Sequence, residues 1–161
     1  MIHSFSLPYH HGSLELLVPE DKLLGCFAPA AVPPLDDPGG ALRRALRNPA
    51  DASPLRELAR GKRRAAVVID DSTRAVPSAL LIDAVMEELL AGGMGPEQVT
   101  VVAATGLHRP MTDAEFQAAL GSWYGRVRHE NHDARNPGGL TFLGQTSLGT
   151  PLSVNRTFVA A

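Results

Sequence analysis

The sequence is short of several things, and each shortage closes off a class of protein. A single cysteine, Cys26, stands among 161 residues, so no internal disulfide forms and a stapled secreted scaffold is excluded. Cys26 is expected to be a small apolar filler, not a nucleophile. Net charge is nearly absent. The 15 Lys and Arg face 17 Asp and Glu, a formal −2, which offers no global field for nucleic acid or an anionic membrane. No apolar run reaches the ~18–20 residues of a membrane span, and the stretch Leu23–Leu35 is interrupted by Pro29, Pro33 and Pro34. The opening Met1-Ile2-His3-Ser4 has no basic stretch and no apolar core, so it is not read as a signal peptide, and cytoplasm is the default location.

Familiar ligand motifs are missing as well. There is no Walker loop, no Gly-x-Gly-x-x-Gly and no Gly-x-Ser-x-Gly elbow. No Cys or His cluster has structural zinc spacing, so no metal-ligand set is assigned. His129 and His132 would point to opposite faces of an extended segment and would share a metal only across a turn. His10 and His11, beside Gly12, read as exposed loop.

What is present fits one globular domain. At 44% hydrophobic residues the chain is not disordered, and at this length it buries roughly two-thirds of its unfolded surface. The 15 glycines and 13 prolines indicate many turns. Residues 1–38 carry short extended runs, Ile2–Leu7 and Ser13–Val18, separated by Pro8 and by His10-His11-Gly12. They end in a breaker cluster, Pro33 to Gly40, that reads as a loop. Two helical pieces follow, Ala41–Arg47 and Pro54–Arg60, divided by Asn48-Pro49. The basic residues Arg43, Arg44, Arg47, Arg60, Lys62, Arg63 and Arg64 lack interleaved aromatics and are expected on a solvated helix face.

The most regular zone runs from Arg63 to Gly121. Ala65–Ile69 is wholly apolar, as in a strand buried on both faces. Pro77 suits the first turn of a helix whose stripe is Leu81, Ile82, Val85, Met86 and Leu89, stopped at Gly92-Gly93. Val99–Ala104 predicts a second buried strand, and Thr112 with Glu115 has capping-box spacing for a helix that Gly121 ends. Strand, helix, strand, helix at these distances is a βαβ unit with parallel strands. Arg126–Glu130, Leu140–Leu143 and Leu152–Asn155 are weaker strand candidates. The predicted fold class is therefore α/β: an open, largely parallel sheet with flanking helices, plus short N-terminal strands.

Each strong strand runs into a dense polar motif. The first is Asp70-Asp71-Ser72-Thr73-Arg74, the second Thr105-Gly106-Leu107-His108-Arg109-Pro110. Ligands of open α/β sheets bind outside the carboxyl ends of the strands, so the two motifs are expected side by side at one crevice. The residue types suit an anion and a proton. Arg74 or Arg109 offers a planar fork for carboxylate or phosphate, and Ser72, Thr73 and nearby amides suit phosphate oxygens close to a helix start. His108 exchanges a proton near neutral pH, and Asp71 is placed to orient a ligand hydroxyl or to pair with an arginine.

Asp70 to Pro77, Ala104 to Thr112 and Asn131-His132-Asp133-Ala134 together resemble the amino-terminal domain of the lactate racemase family, and Gly149 to Arg156 continues the likeness over roughly residues 10–161. The resemblance implies a Rossmann-like domain of a two-domain 2-hydroxyacid racemase or epimerase working with a nickel-pincer nucleotide. In such enzymes the pincer ring accepts hydride from the substrate α-carbon while a histidine removes the hydroxyl proton, and hydride returns to either face of a planar 2-keto intermediate. By this likeness His108 is a catalytic proton-transfer residue. Asp71, Ser72, Thr73 and Arg74 contact the cofactor, with Ser72 standing where many relatives carry His, and Arg74 and Arg109 meet an anionic substrate. The family's second histidine, tethering lysine and nickel-ligating histidine lie farther along than Ala161. The expectation is thus an N-terminal domain over residues 1–161, inactive alone, whose C-terminal domain is supplied in cis or encoded separately. A stand-alone module that binds a nucleotide or small carboxylate without chemistry is the alternative.

Overall fold

The protein is described by a computed structural model covering residues 1–161, which divides into two compact units, Met1–Pro34 and Leu35–Ala161.

The first unit is an antiparallel hairpin of β1 (Ile2–Tyr9) and β2 (Gly12–Pro19), closed where Tyr9 pairs Gly12. His10 takes the turn with φ 52°, a left-handed conformation in which His is several-fold enriched among non-glycine residues. Pro8, expected to separate the runs, instead lies inside β1 opposite Ser13. A two-stranded ribbon consists only of edge strands, where a residue without an N–H is tolerated. Cys26 is exposed, not the apolar filler expected. Its neighbours Leu24 and Phe27 are almost fully exposed too, so this segment has no core to fill.

In the second unit α1 (Pro38–Arg47) starts inside the predicted loop. The Asp37 carboxylate accepts the Gly40 N–H at 2.8 Å, and Pro38 occupies the first turn, where a missing N–H costs nothing. After the short α2 (Leu55–Leu58) come β3 (Ala65–Ile69), α3 (Ser78–Ala91), β4 (Val99–Ala103), α4 (Asp113–Leu120) and β5 (Arg128–Asn131). The sheet order is β3-β4-β5, parallel throughout, as the βαβ pattern predicts. An antiparallel pair, β6 (Leu140–Gln145) and β7 (Pro151–Asn155), and a final turn of helix, α5 (Arg156–Val159), follow.

The core lies on one face of the sheet. Ile82, Met86 and Leu89 of α3 and Phe116 and Leu120 of α4 pack with Val99, Val101 and Ala103 of β4, and Ala65, Val67 and Ile69 of β3 join them. Each fully buried side chain of this size contributes about 1.5–3 kcal/mol. β3 is not buried on both faces, however: Val68 is 49% exposed. Strand periodicity turns Val68 away from the helices, toward a groove shared with Val102, Val154 and Phe158.

The expected solvated basic face is also only partly so. Arg43 forms a forked pair with Glu87 at 2.7 and 3.2 Å. Arg47 and Arg56 converge on Glu88, whose side chain is fully buried, with contacts of 2.6 to 2.8 Å. Hydrogen bonds from Arg56, ahead of those from Arg47, hold the Glu88 carboxyl down at about 2 against the cost of burial. One carboxylate thereby ties α1 and α2 to α3.

No helix is long and apolar enough to cross a membrane.

Candidate functional site

The sheet register places three strand ends in line. Ile69 pairs Ala103, and Ala103 pairs Asn131. The segments that follow these residues are the three polar motifs, so they meet along one carboxyl edge. Local bonds lock them there. The Ala104 N–H donates to the Ile69 carbonyl at 2.8 Å, and the His132 N–H to that of Ala103 at 2.9 Å. The Thr105 hydroxyl donates to the His132 carbonyl, and the His108 N–H closes a turn on the Thr105 carbonyl, with Gly106 at φ 57° between them. Asn131 uses both ends of its amide on Met111, accepting its N–H at 2.8 Å and donating to its carbonyl at 3.0 Å.

Within this frame Asp71 meets His108. The Asp71 side chain is nearly buried, and Oδ2 lies 2.5 Å from His108 Nδ1. Oδ1 accepts from the Thr73 hydroxyl at 2.6 Å and the Thr73 N–H at 3.0 Å. The Thr73 hydroxyl, then His108, hold the Asp71 carboxyl down to about 2. Of the two roles expected for Asp71, orienting a ligand hydroxyl or pairing with an arginine, the second is taken by a histidine in place of the arginine. The His108 imidazole is 53% exposed, so its second nitrogen is on the accessible side of the pair.

The remaining expected site residues divide. Arg74 is exposed, forms no ion pair within the second unit, and lines a groove of about 450 Å³ with Asp71, Ser72, Pro77, Met111 and Glu115. That volume lies in the range of ordinary ligand clefts. Arg109 is engaged already. Its fork closes on Glu115 at 2.6 and 2.8 Å, so an anion arriving there competes with a carboxylate. Glu115 is pulled well below the usual carboxylate range by Arg109 first, then by the Thr112 N–H and the Ser72 hydroxyl. It caps α4 through Thr112 as the spacing predicts. The phosphate cradle expected close to a helix start is not formed that way. Helix α3 begins only at Ser78, and both Thr73 donors point to Asp71.

The other histidines stay apart. His129 packs its ring 4.5 Å from Phe116, on the helix side of the sheet, while His132 lines the groove on the far side with a buried, unpartnered Nδ1. No group of three His, Cys, Asp or Glu side chains is placed to hold a metal ion. A larger recess of about 680 Å³ lies at the amino-terminal ends of the strands, between Arg64, Arg128 and Arg156, and contains none of the three motifs.

Fold and edge together define an open parallel α/β domain that presents an acid–histidine pair beside an unpaired arginine. The chain belongs to the family described as the lactate racemase N-terminal domain, which it matches over residues 9–161. It is 28% identical to the lactate racemase of Thermoanaerobacterium thermosaccharolyticum over 98% of its own length and 38% of that protein's. It is 29% identical to the lactate racemase of Lactiplantibacillus plantarum, over 74% of its length and 28% of that protein's. The structure of the lactate racemase apoprotein from T. thermosaccharolyticum superposes with a TM-score of 0.75 at 27% identity, covering 99% of this chain and 37% of that one. The chain therefore spans less than two-fifths of these relatives.

Proposed function

We propose that this chain forms one wall of a 2-hydroxyacid racemase or epimerase site, with His108 as its proton-transfer residue and Arg74 as its anchor for an anionic group. The observation that carries the reading is the convergence of Asp71, Arg74 and His108 on one strand edge, from motifs about 35 residues apart in sequence. Membership of the lactate racemase N-terminal domain family supplies the reaction class.

A 2-hydroxy acid presents a carboxylate and a hydroxyl. The guanidinium of Arg74 pairs with the carboxylate, or with a phosphate of the same charge, through its planar fork. His108 takes the hydroxyl proton and later returns it, a general acid–base contribution of roughly 10²–10⁴ in rate. Arg109 takes part only by leaving Glu115.

The nickel-pincer nucleotide is the cofactor proposed for the complete site. The residues here fit its anionic part, because Arg74 is an unpaired cation and Ser72 is exposed beside it in the groove. When bound, the cofactor supplies a hydride acceptor. Protein ligands for its metal are proposed to come from outside these residues, as the resemblance to the family implies. The second wall and further catalytic groups are likewise proposed to come from a C-terminal domain, in cis or as a separate chain.

The test is interconversion of lactate enantiomers by the full-length protein that carries this chain. His108→Ala is expected to lower turnover roughly 10²- to 10⁴-fold while nucleotide binding survives, and Arg74→Ala to weaken both. Unchanged turnover in the His108 variant overturns the reading.

A further inference from the structure

We propose that Asp71 is a positioning residue for His108, fixing its imidazole in the tautomer that carries hydrogen on Nδ1 and leaves Nε2 as the base. The tautomer stands on the geometry of the pair and the ionised state of Asp71; its consequence for turnover rests on the function proposed above.

A carboxylate only accepts. Asp71 is nearly buried, and its low-lying carboxyl is ionised through the whole neutral range. Both its oxygens are engaged, Oδ1 by the two donors of Thr73 and Oδ2 by His108 Nδ1. Nδ1 must therefore carry the hydrogen. In a neutral ring the other nitrogen is then the acceptor. The peptide N–H of His108 is fixed on the Thr105 carbonyl, so the backbone and the near nitrogen are both held and only Nε2 is left for a ligand.

The proton balance is closed. The hydroxyl proton moves to Nε2, giving an imidazolium whose charge the Asp71 carboxylate offsets, and the same proton leaves from Nε2 on return. Asp71 touches neither substrate nor the transferred proton in this scheme.

Thr73 makes the prediction sharp. Its N–H and hydroxyl both need an acceptor at the Oδ1 position. In Asp71→Asn the side-chain oxygen stays with Thr73, so the NH₂ group faces His108. Nδ1 must then accept, and the hydrogen moves to Nε2. The ring remains in place in the wrong tautomer, with no lone pair for the substrate hydroxyl.

The experiment is nitrogen-15 NMR of the His108 ring in this chain, with pH raised until the ring signals no longer change. The wild-type ring is expected mainly as the Nδ1–H form, the Asp71→Asn ring mainly as the Nε2–H form, and Thr73→Val, which keeps the carboxylate, as Nδ1–H. A wild-type ring in the Nε2–H form overturns the inference even if the Asp71 variant does not fold. So does an Asp71→Asn ring that keeps Nδ1–H. In the full-length protein Asp71→Asn is expected to lower kcat roughly 10²- to 10⁴-fold, the range seen when a catalytic histidine is held in the wrong tautomer or removed. Correct tautomers with no turnover in any form would leave the positioning role intact and remove the racemase reading.

Discussion

Two acids in this domain are buried and both are held near pKa 2, yet they do different work. Glu88 sits under α1 and α2 with Arg47 and Arg56 closed over it. Asp71 sits at the strand edge with two neutral donors from Thr73 and one half-exposed imidazole. The partners of Glu88 are permanently charged and have no proton to exchange at neutral pH. The partner of Asp71 is a half-exposed imidazole, whose second ring nitrogen can accept or donate a proton. A lowered carboxyl is therefore no mark of a site by itself. The mark is what the partner still has free.

Substitutions break the two regions in opposite ways. The largest effect is expected from His108→Ala in the full-length protein, with racemisation falling roughly 10²- to 10⁴-fold and the melting temperature little changed. Enantiomer assays and calorimetry on the same preparation check both halves. Glu88→Ala is expected to do the reverse. The substitution takes away the carboxylate that joins the partly exposed Arg47 and Arg56 to α3, and the urea unfolding midpoint is expected to fall while turnover per folded molecule is retained.

Acid should separate the regions less sharply, since both carboxyls are lowered. A carboxyl with a depressed folded pKa adds stability that is whole above its unfolded value near 4 and is lost as pH falls toward 2. Unfolding midpoints are thus expected to drop between about pH 5 and 2. Glu88→Gln should lower the neutral plateau and flatten that drop, as seen in a pH series of thermal melts. The smallest expected effect is from Thr112→Ala, which removes the α4 cap at about 1 kcal/mol and also frees one hold on Glu115. Chemical denaturation is sensitive enough to register it.

The parts of this picture that sequence makes legible are local. Strands β3 and β4 announce themselves as short apolar runs, and α3 as a stripe ending in paired glycines. The capping box of α4 forms as its spacing predicts, because a cap depends on residues three apart. The placement of two motifs at one edge follows from parallel strands alone. Non-local pairings are harder to read. Asp71 and His108 are 37 positions apart, and nothing in either motif says which of arginine, histidine or ligand will meet the carboxylate. Glu88 left a signal, since it falls three residues after Val85 on the apolar stripe, where an unpaired acid would be costly. Arg47, expected on a solvated face, is half exposed yet bonded to this acid. Asn131 left a fainter one, as a polar residue at the end of β5 whose amide copies a backbone donor and acceptor for Met111. The one-sided burial of β3 was not legible, because alternating and continuous apolar strands differ only in what covers the second face.

The central claim is that the Asp71–His108 pair serves the reaction while the Glu88 cluster serves the fold. The most direct measurement is racemisation rate per folded molecule for Asp71→Asn and Glu88→Gln in the full-length protein, both taken well below their melting temperatures. The account predicts a fall of at least roughly 10²-fold for Asp71→Asn and no fall for Glu88→Gln. Equal rates in the two variants, or the larger loss in Glu88→Gln, would contradict it.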